Sequence, residues 1–225
     1  MLLSREEILA RVLYKDDHII VLNKPPGIAV HPGKGKGPNL EPFFKDLCFE
    51  LQKPPALAHR LDSPTSGCLV LGRHPQALKH LGKLFALGKI IKKYWALVNG
   101  RPVEDEGEIN LPLAKQTEAK NQWWMKVDQN GQESKTLYKV LGISEEYTWV
   151  ELTPLTGRTH QLRVHCAAMG WPIVGDQIYG PPSPLKKLML HAVSISIPYK
   201  NSQEYIDVQA PPPNLALWRG VQATT

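Results

Sequence analysis

Residues 58–67 read Ala58-His59-Arg60-Leu61-Asp62-Ser63-Pro64-Thr65-Ser66-Gly67, and Cys68-Leu69-Val70-Leu71 follow directly. Pro64 has no backbone donor, so a regular helix does not run through this stretch. The apolar, β-prone run Cys68–Leu71 predicts a buried strand. An imidazole, a guanidinium and a carboxylate therefore sit together on a loop that enters a core strand, a place from which catalytic groups are often presented. Taken alone, Asp62 reads more readily as a turn-capping carboxylate, given the turn-forming habits of Asp and Ser.

Around this loop the chain has the make-up of a folded protein. It has 225 residues, 42% hydrophobic and 21% charged, enough for one large domain or two small ones. No run approaches a membrane span and no secretory leader is visible. Cys48, Cys68 and Cys166 lie far apart without Cys-x-x-Cys spacing, as expected of reduced core thiols in a cytoplasmic protein. A formal charge of +6 and a pI near 9.2 favour an anionic partner.

Upstream, Ser4 is placed to cap a short helix running to about Arg11. Val12–Tyr14 and Ile19–Asn23 predict two strands, and Lys24-Pro25-Pro26-Gly27 a turn. Gly33-Lys34-Gly35-Lys36-Gly37-Pro38 lacks the spacing of a nucleotide-binding P-loop, which argues against ATP or GTP. It reads as a basic surface loop or as an arm that touches phosphates. Leu40–Leu51 has helical character, and Pro75–Ile91 is the clearest amphipathic helix, with Lys79 and Lys83 on one face. Tyr94–Val98, Gly107–Leu113, Trp123–Val127, Thr136–Leu141 and Thr148–Thr153 predict strands, with a hairpin signal at Asn130-Gly131. The whole is α+β, a domain over residues 1–210 followed by an extended tail, 211–225, that opens with Pro211-Pro212-Pro213.

A second dense stretch spans Thr153–Gly180. Thr156-Gly157 predicts a turn and Thr159 a cap for a helix from His160 to Met169, with Leu162, Cys166 and Met169 facing the core. Arg163 falls at the edge of that stripe, where a half-buried guanidinium requires a carboxylate. His160 and His165 invite a metal reading, completed by Asp176 in a hydrolase. Their five-residue separation is not that of a zinc helix, so hydrogen-bonding scaffold is the better reading. Cys68 and Cys166 lie in apolar runs, which makes thiol chemistry a poor choice.

Taken together, these stretches resemble the RluA-type family of RNA pseudouridine synthases. The resemblance rests on Tyr14–His18 with Val21–Gly27, His59-Arg60-Leu61-Asp62 with Thr65-Ser66-Gly67, Lys93-Tyr94-Trp95-Ala96, Thr156–His165, Gly170–Tyr179 and Leu190-His191-Ala192, all in one order. It implies a mixed, largely antiparallel sheet with a central cleft, no metal, no organic cofactor, and isomerisation of uridine to pseudouridine in ribosomal or transfer RNA. By residue-wise match, Asp62 is the catalytic acid, Tyr94 the ring-facing tyrosine and Arg163 the partner of Asp62. Arg60 matches the arginine that fills the gap left by a flipped base, and His59, Leu162 and Lys93 are further substrate-binding residues. Lys34, Lys36, Lys83, Lys89, Lys92 and Lys93 are expected to hold phosphates, and the protein is expected to be a monomer. The chain is expected to lack the S4-like domain that many relatives carry ahead of the first shared strand, and Gln116–Gln132 matches no family pattern. The alternative is a non-catalytic RNA-binding ribosome-assembly factor of the same fold; Asp62, Tyr94 and Arg163 occurring together argue against it.

Overall fold

In the computed structural model the described residues are 3–32, 37–116, 124–199, 204–214, 218 and 222–223. Lys34, Lys36 and Trp123 lie outside them. In chain order the helices are α1 (Arg5–Leu9), α2 (Pro75–Ala86) and α3 (Gln161–Ala168). The strands are β1 (Val12–Lys15), β2 (Ile19–Lys24), β3 (Ala56–Leu57), β4 (Ser66–Gly72), β5 (Ile91–Val98), β6 (Glu106–Asn110) and β7 (Leu113–Lys115). They continue with β8 (Met125–Val127), β9 (Lys135–Ile143), β10 (Thr148–Pro154), β11 (Leu190–Pro198), β12 (Tyr205–Gln209) and β13 (Gln222–Ala223). The α+β class is as expected. Contacts divide the chain into two compact units.

The first unit holds Met1–Ile91 and Ala192–Pro213. Its strands run in the order β1-β2-β4-β11, with β3 on β4 and β12 on β11. Ser4 and Glu7 form a reciprocal capping box on α1. The β1–β2 turn is set by Asp16, whose Oδ1 accepts the N–H groups of His18 and Ile19 at 2.7 and 2.8 Å. β4 is buried along its whole length, which is why it reads as an unbroken apolar run.

Leu40–Leu51 is not a long α-helix; Glu41–Leu47 is a 3₁₀ helix that carries Pro42 in its first turn. The backbone then turns at Phe49, which takes a left-handed φ of 50°. The helix opened by Pro75 stops at Ala86, not Ile91. Gly88 takes φ 64°, its N–H donates to Phe85 O at 3.1 Å and that of Lys89 to Leu84 O at 2.9 Å, a Schellman close. Ile91 instead opens β5.

The second unit holds Lys92–His191 and Asn214–Thr225. Its strands run β5-β10-β9-β13, with β6 on β9 and a separate β7–β8 pair. β9 and β10 alternate buried and open positions, the signature of a half-covered sheet. The single strand expected over Gly107–Leu113 is divided at Leu111-Pro112, so that β6 pairs with β9 and β7 with β8. α3 is shorter than expected. His160, not Thr159, is its N-cap, in the left-handed region at φ 52°, and Met169 lies outside the helix and is exposed. Arg163, Val164 and His165 are buried along with Leu162 and Cys166, so the helix has no solvated face across its centre. Packing also crosses the boundary drawn at residue 211: Trp218 is buried against Trp95 and Trp149, and β13 pairs with β9.

Candidate active site

In the first unit, His59, Arg60 and Asp62 share the loop between β3 and β4. The Thr65 N–H donates to Asp62 O at 3.0 Å, closing a turn through Ser63-Pro64. His59 Nε2 accepts the Val70 N–H at 2.9 Å, and its ring packs on Phe85 with centroids 4.7 Å apart. That bond puts the proton of a neutral His59 on Nδ1 and ties the loop back onto β4. Arg60 is exposed, Leu61 is buried beneath it, and Asp62 is half-buried.

Lys24, at the end of β2, anchors the same loop. It is 1% exposed, and its Nζ donates to Pro25 O, Ile28 O and Ser63 O at 2.9, 2.7 and 3.0 Å. Ser63 O also accepts the Gly27 N–H at 2.8 Å. Burial pushes the Lys24 ammonium down to about 7, while the negative charge of Asp62 pulls the other way. In sequence this lysine belongs to a proline turn within a stretch that carries the family resemblance, and nothing there shows its partners. Its own signal is a charge at the end of an apolar strand.

In the second unit, Tyr94 lies on β5 opposite Leu152 of β10 and is buried. Lys93 points to Glu151, with Nζ 2.8 Å from Oε1. Lys92 is half-buried, and burial lowers its pKa. Leu162 and Arg163 are neighbours on α3. The Arg163 guanidinium makes a fork-to-fork pair with Asp176, Nε to Oδ2 and Nη2 to Oδ1, both 2.7 Å. Its guanidinium carbon stands 5.2 Å from the ring centre of Tyr179. Asp176 and Tyr179 were not singled out as partners of Arg163, although Gly175-Asp176 and Tyr179-Gly180 form a conspicuous sequence pattern.

The histidines serve as scaffold. His160 Nδ1 lies 2.8 Å from the Tyr179 hydroxyl. His165 Nε2 donates to Leu111 O at 3.0 Å, so its Nδ1 accepts from Thr136 Oγ1 at 2.9 Å. Burial pushes the Cys68 thiol up to about 12 and raises that of Cys166 as well, which keeps both protonated. Among the described residues no three His, Cys, Asp or Glu side chains group as a metal site.

Comparison with known proteins gives the family. The sequence model of the RNA pseudouridylate synthase family matches residues 18–168. An uncharacterized RNA pseudouridine synthase of Zymomonas mobilis is 38% identical over 206 residues, covering 90% of this chain and 94% of that protein. The dual-specificity RNA pseudouridine synthase RluA of Pasteurella multocida is 38% identical over 212 residues, covering 89% and 92%. Ribosomal large subunit pseudouridine synthase C of Vibrio parahaemolyticus is 35% identical, covering 91% of this chain and 66% of that one. Among solved structures, human RNA pseudouridylate synthase domain containing 1 superposes with a TM-score of 0.81 at 27% identity, over 100% of this chain and 92% of that one. The chain belongs to the RNA pseudouridylate synthase family and is an isomerase that acts on uridine in RNA.

Proposed function

We propose that this enzyme converts particular uridines of structured ribosomal or transfer RNA to pseudouridine, with Asp62 as the catalytic carboxylate. The observation that carries this reading is the Asp62 loop: a half-buried acid on a turn whose backbone is fastened by Lys24 and His59. The reaction breaks the N1–C1′ bond, turns the uracil, joins C5 to C1′ and removes the C5 proton. A carboxylate serves it either as a nucleophile or by taking the C2′ proton to give a glycal. Both routes need Asp62 as the carboxylate, and the family resemblance assigns Arg163 as its partner. Tyr94 packs on the uracil and assists the late departure of the C5 proton.

A uridine inside a folded RNA is reached only by flipping it out. Arg60, exposed beside Asp62, suits the vacated stack because its guanidinium is planar and cationic. His59, Leu162 and Lys93 complete the proposed contacts with substrate. No helix among the described residues is long and apolar enough to cross a membrane. Pseudouridine maps of total RNA from cells with and without the gene test the substrate. Sites lost in ribosomal or transfer RNA name the target, and identical maps contradict the reading.

A further inference from the structure

Asp176 grips Arg163 along one edge. Both side chains are almost wholly buried, 4% exposed for Arg163 and 1% for Asp176, and the two bonds between them are parallel. Oδ1 of Asp176 also accepts the backbone N–H groups of Ile178 and Tyr179 at 2.9 and 3.1 Å. These bonds set the turn that carries Tyr179, whose ring covers the guanidinium and whose hydroxyl accepts the Met125 N–H at 2.9 Å. One carboxylate thus fixes the guanidinium from its edge and places the ring on its face.

The turn around Asp176 has little room to shift. Gly175 takes φ +73°, and a Cβ there would meet Lys187 O at 2.0 Å. A Cβ at Gly180 would stand 2.7 Å from Asp176 O. Burial of Asp176 works against its ionisation. The bonds and charge of Arg163, with the two backbone donors, more than offset this and hold its carboxyl below the usual range.

We propose that Asp176 is a positioning residue, holding the Arg163 guanidinium in the one orientation from which it serves the chemical step. The proposal rests on the reading of Arg163 as the partner of Asp62. A purely structural Asp176 would set the folded fraction and leave the rate of each folded molecule alone. A positioning Asp176 sets that rate.

Asp176→Glu keeps the charge and displaces the carboxylate; Asp176→Asn keeps the shape and removes the charge. The test is single-turnover pseudouridine formation at saturating enzyme on RNA from cells lacking the gene, with the folded fraction measured by circular dichroism. Both variants are expected to bind RNA within about threefold of the parent and to react at least about tenfold more slowly. In an Arg163→Lys background the same substitutions should cost less than about threefold, because the geometry they serve is already gone. A parental rate in folded Asp176→Glu, or an undiminished cost in the Arg163→Lys background, overturns the proposal. If Asp176→Asn does not fold, Asp176→Glu decides; if neither folds, Asp176 serves stability and the proposal falls. Turnover retained in Asp62→Asn would instead defeat the underlying reading, whatever the Asp176 variants do.

Discussion

A buried ammonium is costly unless its protons are received, and Lys24 donates to three carbonyl oxygens. A neutral amine has only two hydrogens, so losing the charge leaves one of those carbonyls without its donor. With a native pKa of about 7, below the ordinary lysine value, the unfolded chain binds the additional proton from about pH 7 to about 10. Stability from this residue therefore rises with pH across that window. Denaturant titrations of the parent and Lys24→Met should show their difference shifting in the parent's favour from pH 7 to 10; a difference independent of pH contradicts it. Tyr94→Phe keeps the ring and removes the hydroxyl, so RNA binding should survive while turnover falls at least about a hundredfold. Turnover like the parent's would leave that hydroxyl without a chemical role. Asp62, Tyr94 and Arg163 stand out in the sequence as candidates because each lies in a local pattern of specific residues. Lys24 and Asp176 also lie in patterned stretches, but the sequence does not show their partners, which stand 39 and 13 positions away along the chain.

At the scale of elements, Gly67 shows why the strand after the Asp62 loop is built as it is. Gly67 takes φ +106°, and a Cβ there would fall 2.2 Å from Ala192 O. Gly67→Ala should therefore destabilise the fold by more than about 2 kcal/mol, measured by denaturant unfolding. A change below half that amount would show that β4 can move aside. Lys83 and Lys89 are exposed on α2 and just after it, whereas Lys93 is paired with Glu151 and Lys92 is half-buried. Neutralising Lys83 and Lys89 together should flatten the slope of log affinity against log salt by roughly one to two units for all RNAs alike. An unchanged slope places the phosphate contacts elsewhere. Strands β1, β2, β4, β9 and β10 follow their hydrophobic patterns closely. The ends of α2 and α3 did not yield to periodicity, because Gly88 and His160 end or begin those helices through left-handed backbone rather than through a change in apolar spacing.

For the molecule as a whole, a charge of +6 pointed only to an anionic partner. It was the ordered succession of chemically specific stretches from Tyr14 to Ala192 that pointed to one reaction, and family membership agrees with it. What periodicity could not supply was the division of packing: Trp218 and β13 join the second unit after a proline run that reads as the start of a free tail. The central claim is that Asp62 performs the chemistry. Tritium release from RNA made with 5-tritiated uridine, drawn from cells that lack the gene, measures loss of the C5 proton directly. The parent should release tritium to completion at its target sites. Asp62→Asn, at matched RNA occupancy, should release none above background, because the amide keeps the shape of the side chain and removes both nucleophile and base. Substantial release by Asp62→Asn would contradict the account.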